Sequence, residues 1–470
     1  MRSLEQYLQT KGGQLVRLSD ELTKAGVRFA QLQFPIFPGV LRTKLAPLAD
    51  ALSLKGEGLN TGLYVLTHGE GSPDGDVVFE SPTSGAHNGW PNITAIADPD
   101  TVVRLEWRPD TAAVLINAFL YDGRPCALDV RALLSSLEDQ AAELGFETKF
   151  AFEFELFVFE GDDAAIREGR ADTLTPYGRH IGVYDALRHS GFEDLCRDFM
   201  TRMEVLGTTV VAMHTEYGHG MVEFALEACP ALQAADAAMR AKLCISELCE
   251  ARGLVATFMA RCRPIGTESA AGAHLHQSLL RDGENAFHDP DTGEFSATAR
   301  HYLAGMLAGL PDLHVIYRPT VNSYRRFDRT AWAPEDASWG VENRFCAVRA
   351  IPQPTPGGVR FENRVAGADA NPYLVAAASL GSGLRGIEKK LEPADPCVGD
   401  PFVAGHYERL ARSFPDSIEA FGASSLARDI LGEELVEHYL ASRRAEWDAY
   451  TTWQANRITD FEFRRYFESH

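Results

Sequence analysis

The segment from Phe150 to Phe159 constrains this chain more than any other. Apolar side chains recur there at every second position, the period of a β-strand, so Phe150, Phe152, Phe154, Leu156 and Val158 form one apolar face. The opposite face carries Glu153 and Glu155 together with Phe157 and Phe159. Two carboxylates side by side on so apolar a strand repel each other and lose hydration on burial. Either a cation lies between them or the strand is an exposed edge with ordinary surface acids. A divalent metal is the obvious cation.

The same alternation recurs twice. In Ala273–Leu279 the polar face is His274, His276 and Ser278, a source of imidazole ligands or a structural His pair. In Val359–Val365 it is Arg360, Glu362 and Arg364, either a surface ion-pair ladder or a metal ligand flanked by anion-binding guanidiniums. The segment His214–Glu223 adds Glu216 and Glu223 across a glycine-containing turn. Arg325, Arg326, Arg344, Arg349, Arg360 and Arg364 crowd into a short stretch of an otherwise acidic chain. Carboxylates, imidazoles and an arginine cluster together describe a site for Mg²⁺ or Mn²⁺ and a polyphosphate, and hence phosphoryl transfer. No Walker loop is present. The formal GxGxxG match at Gly381–Gly386 sits in an Ala- and Leu-rich helical pattern rather than after a strand, and reads as helix packing.

Composition excludes other classes. With 45 Lys and Arg against 66 Asp and Glu, the net charge is −21, the wrong sign for gripping a phosphate backbone. No apolar run is long enough to span a bilayer, and the N-terminus lacks the apolar core of a signal peptide, so no membrane partner and a cytoplasmic location are expected. The eight cysteines are scattered without a CxxC pair, which argues against structural zinc or a disulfide framework. Residues 1–122 alternate short strand-like runs, such as Val27–Phe34 and Val102–Trp107, with loops such as Gly69–Asp76, and read as a small sheet-rich domain. Residues 123–470 mix helices such as Ala231–Arg252 and Tyr373–Leu391 with the strands above. The expected class is α+β.

Taken in order, EFE at Glu153–Glu155, Glu216 and Glu223, GAHLHQSL from Gly272, PTVNSYRR from Pro319, ENR at Glu342–Arg344, RFENR from Arg360 and NPYL from Asn371 resemble the glutamine synthetase family. The C-terminal TDFEFRRYFES is similar to the branch that makes γ-glutamyl amides of amines other than ammonia. The resemblance implies a β-grasp-like N-terminal domain and an α/β catalytic domain, assembled as a homododecamer of two stacked six-membered rings with active sites between neighbouring subunits. It implies ATP and Mg²⁺ (or Mn²⁺) as cofactors, with glutamate and an amine as substrates. By position, Glu155, Glu216 and Glu223 match one metal site, and Glu153, His274 and Glu362 a second. His214, His276 and Ser278 match positions near the nucleotide phosphates, Arg326 and Arg364 those that hold the acid substrate, and Arg344 and Arg349 those that stabilise the transferred phosphoryl group, with Arg349 also near the nucleotide. There is no counterpart of the tyrosine loop that is adenylylated in bacterial glutamine synthetases.

Three departures accompany the resemblance. Counting back from Trp90, the ammonium-site Asp and Ser of ammonia-using members become Thr83 and Ala86, with Glu80 close by. The flap glutamate becomes Trp332. The Asn-Gly that touches the amino-acid end of glutamate becomes Ser269-Ala270, and the usual GQ before the third metal acid becomes Gly220-Met221. Ammonia at neutral pH is mostly a cation and must lose a proton before attack, so loss of both acids points to an organic amine as nucleophile. The rival expectations are an ordinary ammonia-dependent glutamine synthetase and a non-catalytic ring protein of the same family.

Overall fold

The computed structural model describes residues 2–54, 61–66, 77–178, 181–327, 331–405 and 407–468; the loop Gly69–Asp76 lies outside them. The first element departs from expectation. Residues Leu4–Lys24 form a helix, not a strand-like run, opened by a capping box in which Ser3 and Gln6 satisfy each other's backbone N–H groups. The Gly12-Gly13 pair disguises it as a break. Gly12 is instead buried, and a side chain there would meet Leu54.

Six short strands follow in one sheet, in the order Leu41–Pro47, Phe29–Pro35, Thr111–Leu120, Asn92–Ala97 and Thr61–Gly62, with Val103–Arg104 alongside Thr111–Leu120. The expected strand Val102–Trp107 shrinks to two residues because the chain turns at once, Arg108 N–H bonding Leu105 C=O.

The second sheet has nine strands, and Glu147–Glu160 runs through its middle. On one side of it lie Met221–Leu226 and Val210–Thr215; on the other lie Ala273–Arg281, Arg360–Asn363, Val348–Ile351 and Trp339–Val341. Phe150, Phe152, Phe154, Leu156 and Val158 are all buried, beneath layers that include helices Val130–Glu143 and Ala231–Glu250. Each such side chain contributes about 1.5–3 kcal/mol by leaving water, so this face decides which way the strand sits. The acid-bearing face is thereby turned the other way, into a concavity.

Helix Pro372–Lys389 contains the GxGxxG match and packs on helix Ala297–Gly309. A Cβ at Gly386 would lie 2.1 Å from the His301 carbonyl oxygen, so glycine is needed there for helix-to-helix approach, not phosphate binding. Among the described residues no helix is long and apolar enough to cross a membrane.

Candidate active site

Register brings the polar faces together. His274 lies opposite Glu153, His276 and Arg349 opposite Glu362, and both Glu155 and His214 opposite Glu223. Residues tens to hundreds of positions apart thus share one patch of sheet. At its centre His274 Nδ1 is 2.9 Å from Glu153 Oε1 and 3.5 Å from Glu362 Oε1, while His276 Nε2 is 3.8 Å from Glu153 Oε2. At one end His214 Nε2 is 3.0 Å from Glu223 and its Nδ1 3.4 Å from Glu216. Glu155 accepts the Gly272 N–H at 2.5 Å. A Cβ at Gly272 would lie 2.9 Å from Arg326 Nη2 and 3.0 Å from His274 Nε2, so any larger residue would displace those side chains.

On the other flank Arg349 donates to Glu362 at 3.0 Å and, through Nε, to Glu342 at 2.8 Å, and Arg364 also donates to Glu362. These guanidiniums decide the electrostatics of that end. Burial pushes the Glu362 carboxyl up, but Arg364 and the two histidines override it and hold the group down at about 2. Glu153 is likewise held well below the usual range, its burial outweighed by the bonds from His274 and His276. At the opposite end no guanidinium among the described residues pairs with Glu216 or Glu223, whose neighbour is the His214 imidazole. Burial, reinforced by Glu155, raises Glu216 to about 7; burial, with Glu153 and Glu155 beside it, raises Glu223 to about 9. Two carboxylates that resist ionising, adjoined by the His214 imidazole, are a donor set of hard oxygens and nitrogen suited to a divalent cation.

These side chains line two neighbouring cavities. The larger, 650 Å³, is lined by the five acids and one imidazole matched to the metal sites, by Arg344, Arg349 and Arg364, and by Ser269 and Trp332. The smaller, 500 Å³, shares Glu153, Arg344 and Arg349 and adds Lys149, His276, Ser278 and Arg360. Arg326 sits behind the larger cavity, 2% exposed, with Nη1 donating to Val365 C=O.

Two residues lie apart from the companions expected for them. Ala270 is buried and does not line the cavity; it lies just before strand Ala273–Arg281, where the chain is drawn inward by the bond from Ala271 N–H to Ala260 C=O. His214 does not join His276 and Ser278 in the smaller cavity, because its strand is on the far side of Glu147–Glu160, where it meets Glu216 and Glu223. Glu80, Thr83 and Ala86 line neither cavity; a Glu80 carboxylate oxygen accepts the Ala86 N–H at 3.1 Å.

Sequence reasoning missed the surroundings of Trp332. Its ring centroid is 6.0 Å from that of Tyr217 and 5.4 Å from that of Phe345, and all three rings are partly exposed. Tyr184 also lines the larger cavity. Tyr217 and Phe345 directly follow Glu216 and Arg344, which were singled out, yet nothing local indicates that they meet.

Comparison with known proteins agrees with this architecture. The family model for the glutamine synthetase catalytic domain matches residues 127–466. The chain is 35% identical over 390 residues to glutamate–isopropylamine ligase of a Pseudomonas species, covering 82% of this chain and 83% of that one. It is 32% identical over 442 residues to γ-glutamylethanolamide synthetase of Streptomyces coelicolor, covering 93% and 92%. A solved ADP complex of GmaS superposes with a TM-score of 0.80 at 26% identity, covering 96% of this chain and 99% of that one. With its ordered acids, histidines and arginines gathered on one sheet face and the catalytic model spanning most of its length, the chain belongs to the glutamine synthetase family.

Proposed function

We propose that the protein is an ATP-dependent ligase that joins the γ-carboxyl of glutamate to an organic amine through a γ-glutamyl phosphate. The observation that carries this over ammonia use is Trp332. Where ammonia-using relatives are expected to hold a flap glutamate, the cavity wall presents an indole grouped with Tyr217 and Phe345. An aromatic wall gives an organic substituent apolar surface that ammonia cannot use, and it puts no carboxylate at that position to take the proton of an ammonium ion. Relatives named for isopropylamine and ethanolamine support the same reading, although glutamine synthetases are also among its relatives.

In this reading Arg326 and Arg364 hold the acid substrate, His276, Ser278 and Arg349 face the nucleotide from the smaller cavity, and Arg344 with Arg349 stabilises the phosphoryl group in flight. Glu155, Glu216 and Glu223 at one end, and Glu153, His274 and Glu362 at the other, would hold two Mg²⁺ or Mn²⁺ ions. Such ions supply charge neutralisation between two anions that otherwise repel. The γ-carboxylate attacks the terminal phosphorus of ATP and ADP leaves. The amine nitrogen then attacks the acyl carbon, phosphate departs with the electrons of the broken C–O bond, and the nitrogen loses one proton to solvent to leave the amide.

The reading extends to a cytoplasmic homododecamer of two stacked rings of six. It is supported by eight free cysteines and by the C-terminal helix Asp460–Tyr466, whose Phe461, Phe463 and Tyr466 side chains are exposed in the single chain.

The test is phosphate release from ATP with Mg²⁺ and glutamate, run against ammonia, isopropylamine, ethanolamine, putrescine and aniline, with mass spectrometry of each product. A γ-glutamyl adduct of an organic amine, with little glutamine, is expected. Dominant glutamine formation would restore the ammonia-dependent enzyme, and silence with every nucleophile would favour a non-catalytic ring protein. Trp332→Glu is expected to move the ratio of ammonia to organic-amine turnover toward ammonia by about tenfold or more. An unchanged ratio would remove Trp332 from the amine pocket.

The raised carboxyls make a second prediction. Because Glu216 and Glu223 sit at about 7 and about 9, above their unfolded values, the stability tied to their protonated forms is fully present below about pH 4.5. It is lost as pH rises through 7 and 9. The metal-free protein should therefore melt progressively lower from pH 5.5 to pH 8.5, and the rise in Tm on adding Mg²⁺ should be larger at pH 8.5. Thermal scans with and without a chelator read both, and a metal effect independent of pH would count against these acids as ligands.

A further inference from the structure

Trp332 occupies an uncommon backbone conformation. Its φ is +50°, in the left-handed region where a Cβ crowds the following carbonyl and which bulky side chains seldom adopt. Such a conformation persists only where the neighbouring chain is fixed. We propose that Arg318, which lines neither cavity, is the positioning residue that fixes it, and that Arg318 thereby sets the preference for an organic amine over ammonia. This deepens the ligase reading above and rests on it.

Arg318 follows the short helix His314–Tyr317 and is fully buried. Its guanidinium lies over the Phe327 ring, 3.9 Å from the centroid. Its Nη2 donates to the Pro334 carbonyl at 2.8 Å and its Nε to the Val365 carbonyl at 3.4 Å, and no carboxylate among the described residues bonds to it. A buried cation held by carbonyl dipoles alone costs stability; burial, with Arg326 nearby, pulls this guanidinium down to about 9. A packing role by itself would be met by an apolar side chain of similar volume. The bonds to the two carbonyls are what such a side chain could not supply.

The bond to Pro334 reaches Trp332 through the backbone. The proline ring fixes its own φ and restricts Ala333 before it to extended conformations, so the two residues after Trp332 have little freedom of their own. Just beyond them the Glu335 carbonyl accepts the Leu410 N–H at 3.0 Å. With the Pro334 carbonyl pinned as well, Trp332 has little room to relax toward an ordinary φ, and its indole stays beside Tyr217 and Phe345. The Val365 carbonyl also receives Arg326 Nη1 at 3.0 Å, so Arg318 ties the aromatic wall to the segment that seats Arg326.

The experiment measures kcat and KM, at saturating ATP, Mg²⁺ and glutamate, for ammonia and for whichever of isopropylamine, ethanolamine, putrescine and aniline the wild type uses best. Arg318→Met fills a similar volume and removes the donors. It should raise KM for the organic amine by about tenfold, as displacement of a contact surface does. Ammonia makes little use of the wall, so its kcat and KM, and KM for ATP and glutamate, should change by less than about threefold. Arg318→Lys, which keeps the charge on an unforked head, should recover part of the loss. Pro334→Ala, which frees Ala333 and leaves Arg318 intact, should raise KM for the organic amine by about threefold or more. A loss shared equally by ammonia, ATP and glutamate would mark Arg318 as a structural residue and overturn the proposal while leaving the ligase intact, as would an unchanged KM for the amine. Should Arg318→Met fail to fold, Pro334→Ala decides alone, a selective rise in amine KM supporting the proposal and an unchanged one overturning it. A wild type that makes mainly glutamine, or no amide at all, would overturn the ligase reading and this inference with it.

Discussion

Glu155→Ala is expected to reduce glutamate-dependent phosphate release from ATP by about a hundredfold or more while leaving the protein folded. Glu155 sits opposite Glu223 in the sheet ladder and adds to the repulsion that raises the carboxyls of Glu216 and Glu223. On the proposed reading it would be one of three anionic donors to a metal at that end, and its loss should weaken the ion and with it the charge neutralisation between carboxylate and ATP. Without metal the same change relieves repulsion between buried acids, so the chelated protein should melt no lower than wild type. This opposition of signs separates a metal ligand from a structural acid, whose removal would lower Tm in either condition. Thermal scans with chelator and with Mg²⁺, alongside the phosphate assay, measure both. Retention of full activity would sink the assignment. His274→Ala provides an independent check at the other end, because it removes the imidazole that lies between Glu153 and Glu362.

Asp236→Ala should have the largest effect on stability, a loss of about 3–5 kcal/mol, because it leaves a buried cation short of its partner. Asp236 lies in helix Ala231–Glu250 and accepts from Arg131 Nε and Nη2, each at 2.9 Å, and from the Tyr373 hydroxyl at 2.6 Å. Arg131 is 3% exposed, and its Nη1 is 2.8 Å from Asp98, which follows strand Asn92–Ala97 of the first sheet. The network therefore fastens the N-terminal sheet to the helices beneath the catalytic one. Taking away one carboxylate leaves the guanidinium desolvated with a single acid. The double change Arg131→Met with Asp236→Leu removes both charges and should cost less than Asp236→Ala alone. Urea denaturation of the wild type and both variants reads the difference. A single variant as stable as wild type would show that solvent or Asp98 compensates fully.

Much of this arrangement was legible because alternation is a local code. The strand expected at Phe150–Phe159 runs Glu147–Glu160, and the helix expected at Ala231–Arg252 runs Ala231–Glu250. In each case the apolar face, long enough to exclude water, fixes orientation, and the polar residues between are turned to the other side. That is why Glu153, Glu155, His274, His276 and Glu362 could be named as a site before any contact was known. The first helix was not legible, because Gly12-Gly13 reads as a break until the packing of Gly12 against Leu54 is seen.

What the sequence alone determined, then, was the chemistry available: acids and imidazoles on the polar faces of apolar strands, an arginine cluster, and a tryptophan in place of an acid. The tertiary structure decided which of these groups meet. Register set Glu155 against Glu223 and His274 against Glu153, moved His214 to the acid-rich end, turned Ala270 away from the cavity, and brought Tyr217 and Phe345 to Trp332. The physical reason is one of range. Side-chain period is dictated by neighbours along the chain, whereas the charge state of a carboxylate depends on groups a few ångströms away in space, brought there by strand pairing between residues far apart in sequence.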